Sequence, residues 1–206
     1  MSSKVLITAF DAFGGEANNP AYDALKALSL NVENVEIVKL FVPTVFGKSS
    51  KAVIEAIKNH KPDSVICLGL AGGRSGITPE RIAINAEDAS IPDNEGNMPN
   101  DMPVISGAPD AYFSTLPIKS IVAEIRALGI EASVSNTAGT FVCNHLFYSV
   151  MHYLKSNGLG TLAGFIHVPY TPEMAKENTP SLPLGDIIKA VEIAVIETVK
   201  ATPMPL

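Results

Sequence analysis

The sequence predicts an α/β domain with a mainly parallel, twisted sheet covered by helices on both faces. Strand-like apolar runs alternate with helix-like amphipathic runs along nearly the whole chain, the order that builds crossover units in a parallel sheet. One run, DSVICLGL at residues 63–70, is apolar on both faces, as a strand inside a parallel sheet must be. The chain has 206 residues, enough for one domain with a sizeable core. No repeat, linker or low-complexity segment divides it, so residues 1–206 read as a single domain.

The elements follow in order. Lys4 to Phe10 is a short apolar run that fits a buried first strand. A Gly-rich loop, DAFGGEANNP, comes next, and Asn19-Pro20 opens a helix running to about Leu28, with Asn19 as cap and Pro20 in the first turn. Val35 to Val42 is a second strand. Phe46 to about Asn59 is a second helix, with Val53, Ile54 and Ile57 on one face. After the third strand and the Gly-rich AGGRSGITPE, Arg81 to Asn85 reads as a fourth strand. Residues 88 to about 115, rich in Pro, Asp, Asn and Gly, form a long loop, a kind usually functional or mobile. Pro117 opens a third helix that Gly129 ends. Glu131 to Asn136 is a strand, Thr140 to Asn157 a helix stopped by Gly158, and Leu162 to Val168 a strand. A last helix spans about Asp186 to Lys200.

Composition narrows the function. Apolar residues make up 47% and charged residues 17%, the balance of a soluble globular protein rather than a disordered one. Net charge is −6, and the 15 Lys and Arg are scattered without a basic run, which argues against nucleic acid as a partner. No apolar stretch approaches the ~18 residues of a membrane span. The start, MSSKVLITAF, reads as a strand rather than a secretory leader. Two cysteines do not make a disulfide framework. A cytoplasmic location fits, where a free thiol stays reduced.

The two thiols differ. Cys67, mid-run in SVICLGL, reads as a small core hydrophobe. Cys143 lies in SNTAGTFVCNH, where a strand, a tight turn and a helix start follow one another. A thiol in the first helical turn feels the positive end of the helix dipole and unpaired N–H groups, which favour thiolate. The same N–H groups suit an oxyanion on an attacked carbonyl. Strand, turn, nucleophile and helix is also how other hydrolases present a reactive side chain above a sheet.

A thiol nucleophile needs a histidine within reach. His60 ends the second helix and is expected to be exposed. His145 is displaced roughly 200° around the helix from Cys143, and His152 lies roughly 13 Å up its axis. His167 remains, at the end of a strand in GFIHVPYTP, where functional groups of open α/β sheets gather. A carboxylate should orient the imidazole. Glu80, Glu87, Asp88, Asp93 and Glu95 are all candidates, and composition does not choose among them.

At these residues the chain resembles the pyrrolidone-carboxylate peptidases, the cysteine-type pyroglutamyl peptidases. The matching segments are ITAFDAFGG at 7–15, GLAGGRSGITPERIAIN at 69–85, SNTAGTFVCNH at 135–145 and GFIHVPYTPE at 164–173, with FSTLPIK at 113–119. They span nearly the full length in order. The resemblance implies a three-layer α/β/α sandwich and a Cys–His–Glu triad of Cys143, His167 and Glu80. It implies removal of N-terminal pyroglutamate from peptides without cofactor or metal, and assembly as a homotetramer. It also implies a slot for the lactam ring lined by Phe10 and Phe13, with Phe141 and Val142 as walls beside the nucleophile. An uncharged lactam suits such a slot, apolar with a few hydrogen bonds.

The chain departs from the pattern in places. Ala9 and Ala12 stand where the family has Gly and Pro. Ser90, in ASIPDN, stands where it has an arginine that helps polarise the reacting carbonyl. That departure motivates an alternative, a non-catalytic relative that binds pyroglutamyl-blocked peptide ends. A nucleoside-type phosphorylase is a second alternative, on sheet topology and Gly-rich loops, but neither G-x-G-x-x-G nor a Walker pattern is present.

Overall fold

The parallel strands β1 (Ser3–Phe10) and β3 (Ser64–Leu70) form the middle of a five-stranded sheet of order β2-β1-β3-β7-β4. It comes from a computed structural model that describes residues 3–201. β2 (Val35–Val42), β1, β3 and β7 (Leu162–Val168) are parallel. β4 (Thr78–Pro79) closes the edge antiparallel to β7. Every residue of β3 is buried, as its two-faced apolar run requires.

Side chains alternate across the sheet and feed two cores. Val5, Ile7, Ile66, Leu68 and Ile166 pack on one side with α1 (Pro20–Ala27), α3 (Ile118–Ala127) and α5 (Leu184–Ala201). Leu6, Phe10, Val65, Cys67 and Phe165 pack on the other with α2 (Lys48–His60) and α4 (Val142–Ser156). The result is the α/β/α sandwich. No helix among the described residues is long and apolar enough to cross a membrane.

The local signals act as read. The Asn19 side chain accepts the Ala21 N–H at 3.0 Å and donates to the Asp11 carbonyl at 3.0 Å, so the cap also anchors the loop after β1. Pro20 takes the first helical position. Gly129 ends α3 with a φ of 77°, where a side chain would be strained.

Three expectations are corrected. No strand forms over Glu131–Asn136; the segment makes only the isolated bridges Ile77↔Ala132 and Glu80↔Ser135. Its partner is the two-residue β4, and Pro79 has no N–H to give a ladder. The fourth expected strand shortens to β5 (Ile82–Ile84) and leaves the main sheet, pairing antiparallel with β6 (Ala111–Phe113) inside the expected loop. The buried Asn144 amide holds it there: Oδ1 accepts the Ile84 N–H at 3.0 Å, and Nδ2 donates to the Ile84 and Ala86 carbonyls at 2.9 and 3.0 Å. Finally, α4 begins at Val142, past Thr140, because the Thr140 hydroxyl donates to the Asp88 carbonyl at 2.7 Å instead of capping the helix.

Candidate active site

The carboxyl ends of β3 and β7 bring the key residues together. His167 pairs in register with Gly69, and residues in register project to the same face. That face carries α4. A Cβ built on Gly69 would lie 3.0 Å from Cys143 Sγ and 2.7 Å from Phe165 Cζ. Glycine therefore lets the sulfur settle against the strand backbone, beside the residue paired with His167. Cys143 is the second residue of α4 and 8% exposed.

Glu80 reaches His167 through main-chain register. β4 runs against β7, pairing Thr78 with His167 and Pro79 with Ile166. The next N–H, that of Glu80, donates to the Phe165 carbonyl at 2.9 Å. The carboxylate then meets His167 Nδ1 through Oε1 at 2.7 Å, and its side chain is 0% exposed. Among the described residues Oε2 of Glu80 is buried without a hydrogen-bond partner; the neighbouring Ser135 hydroxyl donates to the Thr137 carbonyl at 3.1 Å. Arg74 approaches from the loop after β3 and donates from Nη1 to the same Oε1 at 2.7 Å.

The charge states follow. Burial alone would raise the Glu80 pKa, but hydrogen bonding and attraction from His167, with the Arg74 charge, outweigh it and hold the carboxyl below its ordinary range. Burial lowers the His167 pKa more than Glu80 raises it. Burial, followed by the negative charge of Glu80, pushes the Cys143 thiol up to about 12. The resting site at neutral pH is thus a thiol, a neutral imidazole and a carboxylate. The expected thiolate at the helix N-terminus is not the resting form, because desolvation outweighs the charges that favour it.

The other candidates go elsewhere. Glu87 binds His145 Nδ1, and His145 Nε2 meets the Ser50 hydroxyl at 2.9 Å and the Gly47 N–H at 3.1 Å. His145 therefore ties α4 to the start of α2, away from Cys143, as its helical angle predicts. Asp93 accepts from the N–H groups of Phe46, Glu95 and Asn97. Burial would raise its pKa, but the hydrogen bonds from Asn97, Phe46 and Glu95 keep it below its ordinary value. Asp88 and Glu95 are exposed, as is His60 at the end of α2. His152 Nδ1 meets the Tyr112 hydroxyl at 2.9 Å. Of five carboxylates left open by the sequence, Glu80 alone meets His167.

The aromatic residues split into two groups. Phe10 and Val142 are buried, Phe10 against Phe165 with ring centroids 6.3 Å apart. Phe13 and Phe141 keep partial exposure and face each other at 6.0 Å. Phe46 meets Phe141 edge-on at 5.4 Å. Sequence reading missed Phe46, which sits in no motif, and the ties made by Arg74 and Asn144. The Asn144 signal was available: a polar residue in the first turn of an otherwise apolar helix needs partners.

A cavity of about 680 Å³ opens at the opposite end of the sheet, lined by Ile57, Lys58, Pro62, Tyr153 and Thr161 among others. Neither a cysteine nor a histidine lines it, and it lies at the end of β7 away from His167. Among the described residues, no group of three or more His, Cys, Asp or Glu is disposed to hold a metal ion.

The chain's similarities agree with this geometry. The family model for pyroglutamyl peptidase matches residues 3–201. A pyrrolidone-carboxylate peptidase of Thermoanaerobacter pseudethanolicus is 56% identical over 194 residues, covering 93% of this chain and 96% of the relative. The crystal structure of pyroglutamyl peptidase I from Bacillus amyloliquefaciens superposes with a TM-score of 0.93 at 52% identity, over 96% of this chain and 95% of the other. A mutant pyrrolidone carboxyl peptidase from Pyrococcus furiosus gives 0.93 at 40% identity, over 97% and 100%. A match over nearly all the described residues, with this thiol, imidazole and carboxylate at the carboxyl end of the sheet, means that the chain belongs to the pyroglutamyl peptidase family.

Proposed function

We propose that the chain removes pyroglutamate from peptide N-termini, with Cys143 as nucleophile, His167 as base and Glu80 as the acid that orients it. The observation that carries this reading is the 2.7 Å bond from His167 Nδ1 to Glu80, with Cys143 Sγ set against Gly69, the residue paired in register with His167. Glu80 accepts at Nδ1, so Nε2 is left as the basic nitrogen. Because the thiol rests protonated, its proton passes to Nε2 as Sγ attacks the pyroglutamyl carbonyl carbon. The oxyanion then faces the N–H groups of Val142, Cys143 and Asn144. These precede the first helical bond, from the His145 N–H to the Phe141 carbonyl at 3.1 Å, and no side chain caps them. The imidazolium gives its proton to the departing amine, leaving a thioester. Water, deprotonated by His167, attacks the thioester and releases free pyroglutamate. No step calls for a metal or cofactor.

Phe13 and Phe141, packed on each other, form a wall of the lactam slot, with Phe46 packed on Phe141 and the buried Phe10 and Val142 giving support from behind. The experiment that tests the reading compares coumarin amides of pyroglutamate and proline. The pyroglutamyl amide is hydrolysed. The prolyl amide is rejected by several powers of ten in kcat/KM, because it brings a charged amine into an apolar slot and lacks the ring carbonyl. Comparable rates on both would sink the slot. Tight binding of the pyroglutamyl compound without turnover would favour the non-catalytic relative.

Ser90 is exposed in the loop after β5. Arg74 is held by Glu80, and the Arg81 guanidinium donates to Asn136 at 2.8 Å, so neither stands in for the family arginine. The open N–H groups of α4 suffice instead. Ser90→Arg therefore raises kcat by about tenfold or less, ~1.4 kcal/mol. A gain of several hundredfold would mean that this chain had lost a main catalytic group.

A cytoplasmic site of action suits a nucleophile that must stay reduced. Assembly of copies into a homotetramer fits the open apolar side chains of Phe113, 66% exposed, and of Met98 and Met102.

A further inference from the structure

We propose that Arg74 is a positioning residue for the triad, fixing the Glu80 carboxylate against His167 and tying both to the turn ahead of Cys143. The inference rests on the triad assignment above and adds a residue to it. Arg74 Nη1 donates to Glu80 Oε1 at 2.7 Å and to the Thr78 hydroxyl, and Nη2 donates to the Thr137 carbonyl at 3.2 Å. Those acceptors belong to three parts of the site. Thr78 pairs in register with His167. Glu80 is the orienting acid. Thr137 stands in the turn that delivers α4 and Cys143. One planar fork therefore spans the strand that carries the acid and the turn that carries the nucleophile, a task suited to arginine's fixed donor geometry.

The bond also selects an oxygen. Arg74 and His167 share Oε1 of Glu80, while Oε2 has no hydrogen-bond partner among the described residues. Without Arg74 the carboxylate is free to rotate and present Oε2 to the imidazole, which would loosen the angle at Nδ1. The Glu80 side chain is 0% exposed and that of Arg74 27%, so the cation reaches from the solvent edge to a fully buried anion.

Charge acts in the same direction. The titratable groups around Glu80 are His167 on β7, Arg74 after β3 and Cys143 on α4, with Cys67 of β3 beside Cys143. The Glu80 charge raises the pKa of both His167 and Cys143, and the Arg74 charge opposes it at both. Removing the cation thus raises the His167 pKa, so the base becomes neutral only at higher pH. The acid limb of kcat/KM moves up.

The test measures kcat, KM and the pH profile of Arg74→Met, Arg74→Lys and Glu80→Gln on the pyroglutamyl coumarin amide, with Arg74→Met also made in the Glu80→Gln background. Arg74→Met is expected to lower kcat by about 10²-fold, the scale of a small misplacement at the reacting centre. KM stays nearly constant and the acid limb shifts to higher pH. Arg74→Lys keeps the charge but not the fork, so the limb stays at its wild-type position while kcat is only partly restored. In the Glu80→Gln background Arg74→Met has almost no further effect, because the partner it acts through is already neutral. An undiminished kcat in Arg74→Met, or an equal loss in the Glu80→Gln background, overturns the inference. If Arg74→Met does not fold, Arg74→Lys decides alone: a shifted limb or a wild-type kcat overturns it. A normal kcat in Glu80→Gln instead removes the triad reading, and a dead Glu80→Gln beside an active Arg74→Met removes only the role of Arg74.

Discussion

Cys143→Ala lowers pyroglutamyl peptidase activity on the order of 10⁵–10⁶-fold, the scale seen when a nucleophile of a catalytic triad is deleted. Cys67→Ser keeps most of the activity. The two thiols cannot be told apart by acidity, since burial pushes both up to about 12. Their neighbours separate them. Cys67 sits mid-strand in β3, 1% exposed and enclosed by core side chains. Cys143 is 8% exposed, in the uncapped first turn of α4. Iodoacetamide should therefore label Cys143 first in the native protein. Serine at position 67 keeps the buried Thr8 hydroxyl beside it as a hydrogen-bond partner, so the smaller side chain shifts the melting temperature modestly and leaves kcat unchanged. An active Cys143→Ala, or a Cys67→Ser that folds but is dead, would overturn the assignment.

His167→Ala and Glu80→Gln each lower kcat by ~10³–10⁴-fold while KM changes little, because base and orienting acid act on the transition state rather than on bound substrate. Glutamine is nearly isosteric with Glu80, yet it cannot stabilise the imidazolium and can turn its NH₂ toward Nδ1, forcing the wrong tautomer. The wild-type pH profile has a defined direction. A base at His167 must be neutral, and the pKa of this imidazole lies below the ordinary value. Activity is therefore full through the neutral range and is lost as pH falls through that depressed value. An acid limb above the ordinary imidazole pKa would contradict a buried His167 as base. A normal kcat in His167→Ala would move the base elsewhere.

Much of this site is legible in the sequence because strong local rules act there. Pro20 after Asn19, Gly129 after the third helix, and a two-faced apolar β3 each follow from backbone or solvation constraints that do not depend on the rest of the chain. Cys143 stands out for the same reason, as a thiol at a strand–turn–helix junction. Elimination reaches His167, since helical geometry sends His145 and His152 elsewhere, and both are indeed bound by other groups. The carboxylate is different. Glu80 and Asp93 have the same local character, and only the antiparallel pairing of β4 with β7, a contact across 87 residues, brings one of them to the imidazole. The loss of a strand over Glu131–Asn136 has a similar origin: its residues fit a strand, but its partner is too short and contains Pro79. The thiol's charge state was misjudged because the helix terminus is visible in the sequence and the depth of burial is not.

The buried charge of Glu80 has a consequence for laboratory evolution. Arg74 and His167 both bond its Oε1, and removing one member of a buried charged group leaves the others unpaired, at a cost of ~3–5 kcal/mol. The depressed pKa of the carboxyl points the same way, since its ionised form favours the folded chain at neutral pH. A library of this enzyme screened only for survival of heating will therefore keep glutamate at position 80 although turnover is never selected. Invariance of that residue across such survivors reports the fold and not the chemistry.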